Sequence, residues 1–196
     1  GMIIDENLSW AKHIKSIINK NSSGIYMINS VRNILPSKQK YMLYMSLINS
    51  NMIYGLMLWG PMAQASDVKS LLKQQKKSIR AVENVASNAH TSKLFTKYKI
   101  LNIYELIELE LSKFMYKYVH RTLPPPLLDL FVSNEQVHSY STRGKSNART
   151  QEHKSSIFGK SFLARGPSLW SNLSADLKRS VSLPSFTRKY KKRSFI

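Results

Sequence analysis

The chain has 196 residues, room for one domain or two small ones, and its 42% hydrophobic content is enough to bury a core. Thirty Lys and Arg stand against eleven Asp and Glu, a formal charge of +19, and the absence of Cys excludes disulfides, thiolate metal sites and Cys nucleophiles. No apolar run approaches the roughly 18 residues of a membrane span, and the Met2–Ile4 start, followed by Asp5 and Glu6, is no secretion signal.

Periodicity predicts helix through most of the first 125 residues. Asn7 is the expected N-cap of a first helix with Leu8, Ala11, Ile14, Ile18, Ile25, Ile28 and Val31 near one face. Lys12, Lys15, Asn19 and Ser23 fall on the other face, and Gly24 either kinks the helix or permits a close backbone approach. Leu35-Pro36-Ser37 is expected to stop it and cap a second helix, apolar nearly all round from Lys38 to Tyr54 and therefore central. Gly55 to Pro61 reads as a break, with Trp59 packed over the bundle.

A third helix is expected from Ser66 to Ala86. Val68, Leu71, Leu72, Gln75, Ile79 and Val82 form its core stripe. Lys69, Lys73, Lys76 and Arg80 form the opposite stripe, with Lys77 beside them, a row of cations about 16 Å long at 1.5 Å per residue. Asp67 and Glu83 are its only nearby acids. The row is either an ordinary solvated face or a track for phosphates.

Ser92 to Tyr98 reads as a short helix, entered by His90-Thr91 as a capping and packing pair. Asn102 and Glu105 have the spacing of a capping box for the next helix, which Pro124-Pro125-Pro126 is expected to end. Beyond it, 133–156 is rich in Ser, Asn, Arg and Thr and has few apolar anchors. His138-Ser139-Tyr140-Ser141-Thr142-Arg143, with Lys145 and Arg149, suits an arm that orders on nucleic acid, or a flexible linker. Ile157 to Leu163 reads as a short strand, Gly166-Pro167-Ser168-Leu169-Trp170 as a turn into a helical turn, and Phe186 to Arg193 as a final basic helix. Its Arg188-Lys189-Tyr190-Lys191-Lys192-Arg193 run fits phosphate contact or nuclear import.

The expected fold is thus mainly α: a helical bundle over 1–123, a Pro-bounded basic arm over 124–156 and a small basic subdomain over 157–196, irregular in part, with short helices and a short strand. Net charge is +4 over residues 1–60, +6 over 61–100, −2 over 101–135 and +11 over 136–196, an acidic middle between two basic regions. No glycine-rich phosphate loop or nucleophile elbow is present. Glu105, Glu108 and Asp67 read as caps or surface charges, and His13, His90, His120, His138 and His153 are scattered without a metal-ligand spacing. Trp10, Trp59 and Trp170 read as core anchors. No catalytic residue, cofactor or metal site is expected.

A series of short stretches resembles one family in order and spacing: Gly1-Met2-Ile3-Ile4-Asp5, Leu8-Ser9-Trp10 and His13-Ile14; Tyr54-Gly55 and Trp59-Gly60; Gln75-Lys76-Lys77 and Arg80; His90-Thr91, Leu94-Phe95 and Ile100-Leu101; His138, Tyr140 and Thr142-Arg143; Gly166-Pro167 with Trp170; and Phe186. Together they resemble the thumb and following region of non-LTR (LINE-type, jockey-like) retrotransposon reverse transcriptases. The resemblance implies a fragment of an RNA-directed DNA polymerase, its thumb a helical bundle that holds the primer–template duplex. The magnesium-binding palm carboxylates and the endonuclease would belong to parts before Gly1. The family's Trp-Asn-x-Leu-Pro pattern appears as Trp170-Ser171-Asn172-Leu173-Ser174 without its proline, a zinc knuckle is impossible without Cys, and Asn51 stands where a kinking proline is common.

The expected function is therefore to grip RNA, an RNA–DNA hybrid or a DNA duplex by its phosphates, without a reaction of its own. Lys12, Lys15, Lys69, Lys73, Lys76, Lys77 and Arg80 are the candidates in the bundle, and Arg143, Lys145, Arg149 and Arg165 those beyond it. The rest of the polymerase is the other expected partner, in the nucleus or cytoplasm and away from membranes. The competing expectation is a protein-interaction module or degenerate remnant that self-associates through Tyr41, Met45 and neighbouring apolar surface.

Overall fold

A computed structural model describes residues 1–132, 148–149 and 154–195. The described residues are mainly helical and contain no strand or sheet. They divide into two compact units within the helix Ile103–Val119, one over Gly1–Leu106 and one over Ile107–Ser194.

In the first unit, α1 spans Ala11–Ser30. It does not begin at Asn7: Trp10 precedes it in left-handed backbone, and the entry is held by Asp5, whose carboxylate accepts from the Asn7, Ser9 and Trp10 amides and the Ser9 hydroxyl. An acid four and five residues back satisfies donors that a local Asn cap would have taken. The helix runs unbroken through Gly24, so that glycine serves close approach: a Cβ there would lie 3.0 Å from Ile48 Cγ1 and 3.3 Å from Leu47 Cβ.

The second helical rod is continuous, with α2 over Ser37–Tyr44, a π-helical turn over Met45–Asn49 and α3 over Ser50–Ile53. Widening the helix disturbs its carbonyl ladder. Side chains supply donors there: Ser46 Oγ to the Leu43 carbonyl, Ser50 Oγ to that of Ser46, and Asn51 Nδ2 to that of Leu47 at 2.6 Å. Tyr44, Ile48 and Met52 along it are fully buried. Gly55 then turns the chain at φ 63°, a region open to glycine without Cβ strain, into α4, Leu56–Trp59. Trp59 is fully buried and donates its indole N–H to the Tyr54 carbonyl at 3.0 Å.

The cationic helix, α5, spans Ala65–Glu83 and ends earlier than Ala86, at Asn84 in the left-handed conformation that closes it. Val68, Leu71, Gln75, Ile79 and Val82 are buried as the stripe predicts. Gln75 Nε2 donates to the Leu101 carbonyl at 3.2 Å, tying α5 to the segment before the next long helix. Short α6, Ser92–Tyr98, follows; Thr91 is buried but caps nothing with its hydroxyl, and His90 is exposed. α7, Ile103–Val119, starts with the expected capping box, Glu105 Oε2 accepting from the Asn102 amide at 2.9 Å and Asn102 Oδ1 from the Glu105 amide at 3.2 Å.

The prolines do not end α7. It stops at Val119, where Arg121 takes left-handed backbone and the Thr122 amide donates to the Lys117 carbonyl. Pro125 and Pro126 instead open α8, Pro125–Leu128, in a first turn where proline loses no hydrogen bond.

The second unit goes on with α9 (Ser156–Lys160), α10 (Phe162–Ser171), α11 (Ala175–Lys178) and α12 (Leu183–Ser194). The expected strand at 157–163 is thus helical: Ser155 caps α9 by accepting from the Phe158 amide, and an apolar run this short carries no period of its own. Nor is Gly166-Pro167 a turn, since Pro167 lies inside α10. Tyr116, Trp170 and Phe186 form the aromatic centre, with ring centroids 5.1–6.4 Å apart, and the Tyr116 hydroxyl donates to the buried Ser180 carbonyl at 2.8 Å.

Candidate nucleic-acid interface

At 100° per residue, the buried side chains of α5 centre on Leu71, Gln75 and Val82, and the opposite direction passes through Lys73. Lys69, Lys73 and Lys77 are exposed, and Lys76 and Arg80 are half-buried, with Arg80 near the centre of the face and Lys76 and Lys77 towards its edges. One helix therefore brings five of the candidate residues together. Arg80 is the least free of them, because its Nε donates to the Ala89 carbonyl at 2.8 Å and so pins the loop after α5.

The two acids of α5 do not neutralise this face. Asp67 lies in the first turn, where the helix dipole favours a carboxylate. Glu83 is engaged by α6: Lys97 Nζ pairs with it and the Tyr98 hydroxyl donates to it. Burial works to raise the Glu83 pKa, but the hydrogen bonds from Lys97 and Tyr98 outweigh it and hold the carboxyl below its ordinary value. The same environment, burial first and then the Glu83 bond, pushes the Tyr98 hydroxyl up to about 12.

Lys12 and Lys15 are exposed on α1. α1 and α5 run side by side in the same direction, Ser22 Oγ accepting from Gln74 Nε2 at 3.4 Å, and Ile25 and Asn29 sharing a groove with Lys77 and Ala81 further along. Arg149 and Arg165 are exposed in the second unit, the Arg149 amide donating to the Val132 carbonyl at 2.8 Å. Arg143 and Lys145 lie outside the described residues, as do His138 and Tyr140. On α12, Phe186 and Tyr190 face the interior, Lys189 pairs with Asp176 at 2.7 Å, and Arg188, Lys192 and Arg193 are exposed.

Sequence reasoning missed Arg32. It lies just beyond α1, on the stripe of Ile25 and Asn29, and lines the groove with Lys77 and Arg80. Beneath it is Lys40, only 2% exposed, whose Nζ donates to the Arg32 carbonyl at 3.3 Å. The spacing Ile25, Asn29, Arg32 was the available signal, but its meaning depends on the packing of α1 on α5.

His13 is buried between Trp10 and Trp59, edge-to-face with both, and its Nδ1 accepts from the Ile3 amide at 3.3 Å. Burial, followed by repulsion from Lys20, lowers its pKa, so the ring is held neutral as a packing element. Among the described residues no group of three His, Asp or Glu is placed to hold a metal ion, and no helix is long and apolar enough to cross a membrane. Comparison with protein-family models, with curated proteins and with solved structures finds no match to this chain.

Proposed function

We propose that the chain is a nucleic-acid-gripping module, the thumb and following region of a non-LTR retrotransposon reverse transcriptase, that holds an RNA–DNA hybrid or related duplex by its phosphates. The observation that carries the reading is the outward row Lys69, Lys73, Lys76, Lys77 and Arg80 on α5, with Glu83 paired to Lys97 and Asp67 in the first turn, off this face. A row of cations along one helix matches a repeating line of backbone charge, and binding releases counterions without reading bases. The +19 charge supplies long-range attraction to such a polymer. The module binds and orients, and chemistry belongs to the polymerase carboxylates that the family resemblance places in a separate palm.

The test is binding of the purified chain to a labelled RNA–DNA hybrid across salt. Contact with about six phosphates gives a log–log salt slope near −5. Absence of binding at low salt overturns the proposal.

A second reading, a protein-interaction module, draws on exposed apolar side chains in the first unit: Met42 is 63% exposed and Ile34 75%. Tyr41 does not add to this surface, since it stacks on Tyr98 with ring centroids 5.2 Å apart. Self-association that persists at high salt, without hybrid binding, would favour this reading.

A further inference from the structure

Between the C-terminal ends of α1 and α5 lies an open groove of about 510 Å³ lined by Ile25, Asn29, Arg32, Lys77, Arg80, Ala81 and Val85, among others. That volume is in the range of small-molecule sites, about 300–1,000 Å³. Its lining is of two kinds. Arg32, Lys77 and Arg80 supply three cations and no lining residue is acidic, while Ile25, Ala81 and Val85 supply apolar surface. Asn29 and Asn84 add amides with both donor and acceptor character.

Two helix C-termini would ordinarily repel an anion through their free carbonyls. Here several carbonyls at or just beyond those ends are engaged. The Asn84 and Val85 amides donate to the Ala81 and Arg80 carbonyls, the Arg32 amide to that of Asn29, and Lys40 Nζ to that of Arg32. The cations therefore dominate the local field. An inorganic anion would use only them, whereas a phosphate attached to a flat, largely apolar group uses both kinds of lining.

Resting on the duplex-gripping reading, we propose that this groove seats one nucleotide of the bound strand at the end of the α5 phosphate track. Arg32, Lys77 and Arg80 take its phosphate, and Ile25 and Val85 lie against its base.

The experiment is methyl NMR of the full chain titrated with adenosine 5′-monophosphate, inorganic phosphate and adenosine, alongside hybrid binding across salt. The expected result is saturable shifts at the Ile25 and Val85 methyls, with the monophosphate bound at least about fivefold more tightly than either phosphate or adenosine. Arg32→Ala removes an exposed guanidinium but keeps the carbonyl that Lys40 uses, and Asn29→Asp places a carboxylate in the groove at unchanged size. Each is expected to weaken the monophosphate at least about fivefold and the hybrid less, because the lysines of the α5 row are left intact. Equal binding of phosphate and the monophosphate, no saturable shift at these methyls, or unchanged affinity in both variants overturns the groove proposal. Loss of hybrid binding with monophosphate binding intact instead overturns the duplex reading.

Discussion

Lys97 of α6 and Glu83 of α5 form an ion pair that Tyr98 completes from the same carboxylate, so the acid nearest the cationic face is held by α6. The Glu83 side chain is 21% exposed and the Lys97 side chain 54%, which limits the stabilising effect of the pair to about 1 kcal/mol. Its importance is electrostatic bookkeeping on the surface: α5 presents lysines outward while its own acid is satisfied sideways.

A first prediction concerns acid. The folded Glu83 pKa is depressed below the unfolded value, so its contribution is fully present above that value and is lost as pH falls through the folded one. Glu83→Gln is expected to lower stability by about 1 kcal/mol near neutral pH and to flatten the acid limb, the two proteins converging in Tm as pH falls through the folded Glu83 pKa. Under the proposed function the same variant binds the hybrid more tightly, because a negative charge beside the row is gone. Thermal melts from about pH 3 to about pH 7, with one hybrid titration, check both.

The second prediction separates the track from its scaffold. Lys69→Ala with Lys73→Ala removes two exposed cations that make no hydrogen bond among the described residues, so Tm stays within about 1 °C. The salt slope for the hybrid is expected to shrink by up to about two units. Lys73→Ala with Arg80→Ala shrinks it similarly but also costs about 1 kcal/mol of stability, because the Ala89 carbonyl loses its donor. Equal slopes in wild type and both variants would mean that the row is an ordinary solvated face.

The α5 stripe was legible because a buried face at period 3.6 and a cationic face opposite it need no knowledge of neighbours. The same holds for the Asn102–Glu105 box, a motif complete within four residues. Errors came where a local signal had a distant or equally local rival. Asp5 outcompeted Asn7 from outside the helix, Arg121 closed α7 before the prolines were reached, and Ser155 made a helix of a run too short to show a period. The groove at Arg32 was illegible for another reason: its two walls are 45 residues or more apart in sequence, and only the parallel packing of α1 on α5 joins them.

A third prediction tests the packing of α1 on the second helical rod. Gly24 lies where α1 meets the π-helical turn, and the two atoms closest to a new Cβ, Ile48 Cγ1 and Leu47 Cβ, belong to the inner parts of those side chains rather than to flexible tips. Ile48 is fully buried and has nowhere to retreat. Replacing glycine by alanine in a helix normally gains up to about 1 kcal/mol, whereas overpacking costs about 1–3 kcal/mol. Gly24→Ala is therefore expected to destabilise by about 1 kcal/mol in denaturant titration, and any stabilisation would show that the π turn yields.

The last prediction asks what holds the basic end of the chain in place. Phe186 is fully buried and touches the ring cluster of Tyr116, Trp170 and Tyr190 from the first turn of α12. The exposed cations of that helix, Arg188, Lys192 and Arg193, have defined positions only while Phe186 and Tyr190 anchor its other side. Phe186→Ala removes a whole aromatic ring from a site with large rigid neighbours, where collapse is limited, and is expected to cost about 3–5 kcal/mol. Phe186→Leu keeps much of the volume and is expected to cost less than half as much. Near-UV circular dichroism of the Trp170–Tyr116 cluster during denaturant unfolding measures both. If the Ala variant lost less than about 1 kcal/mol, the aromatic centre would not be what anchors the basic helix.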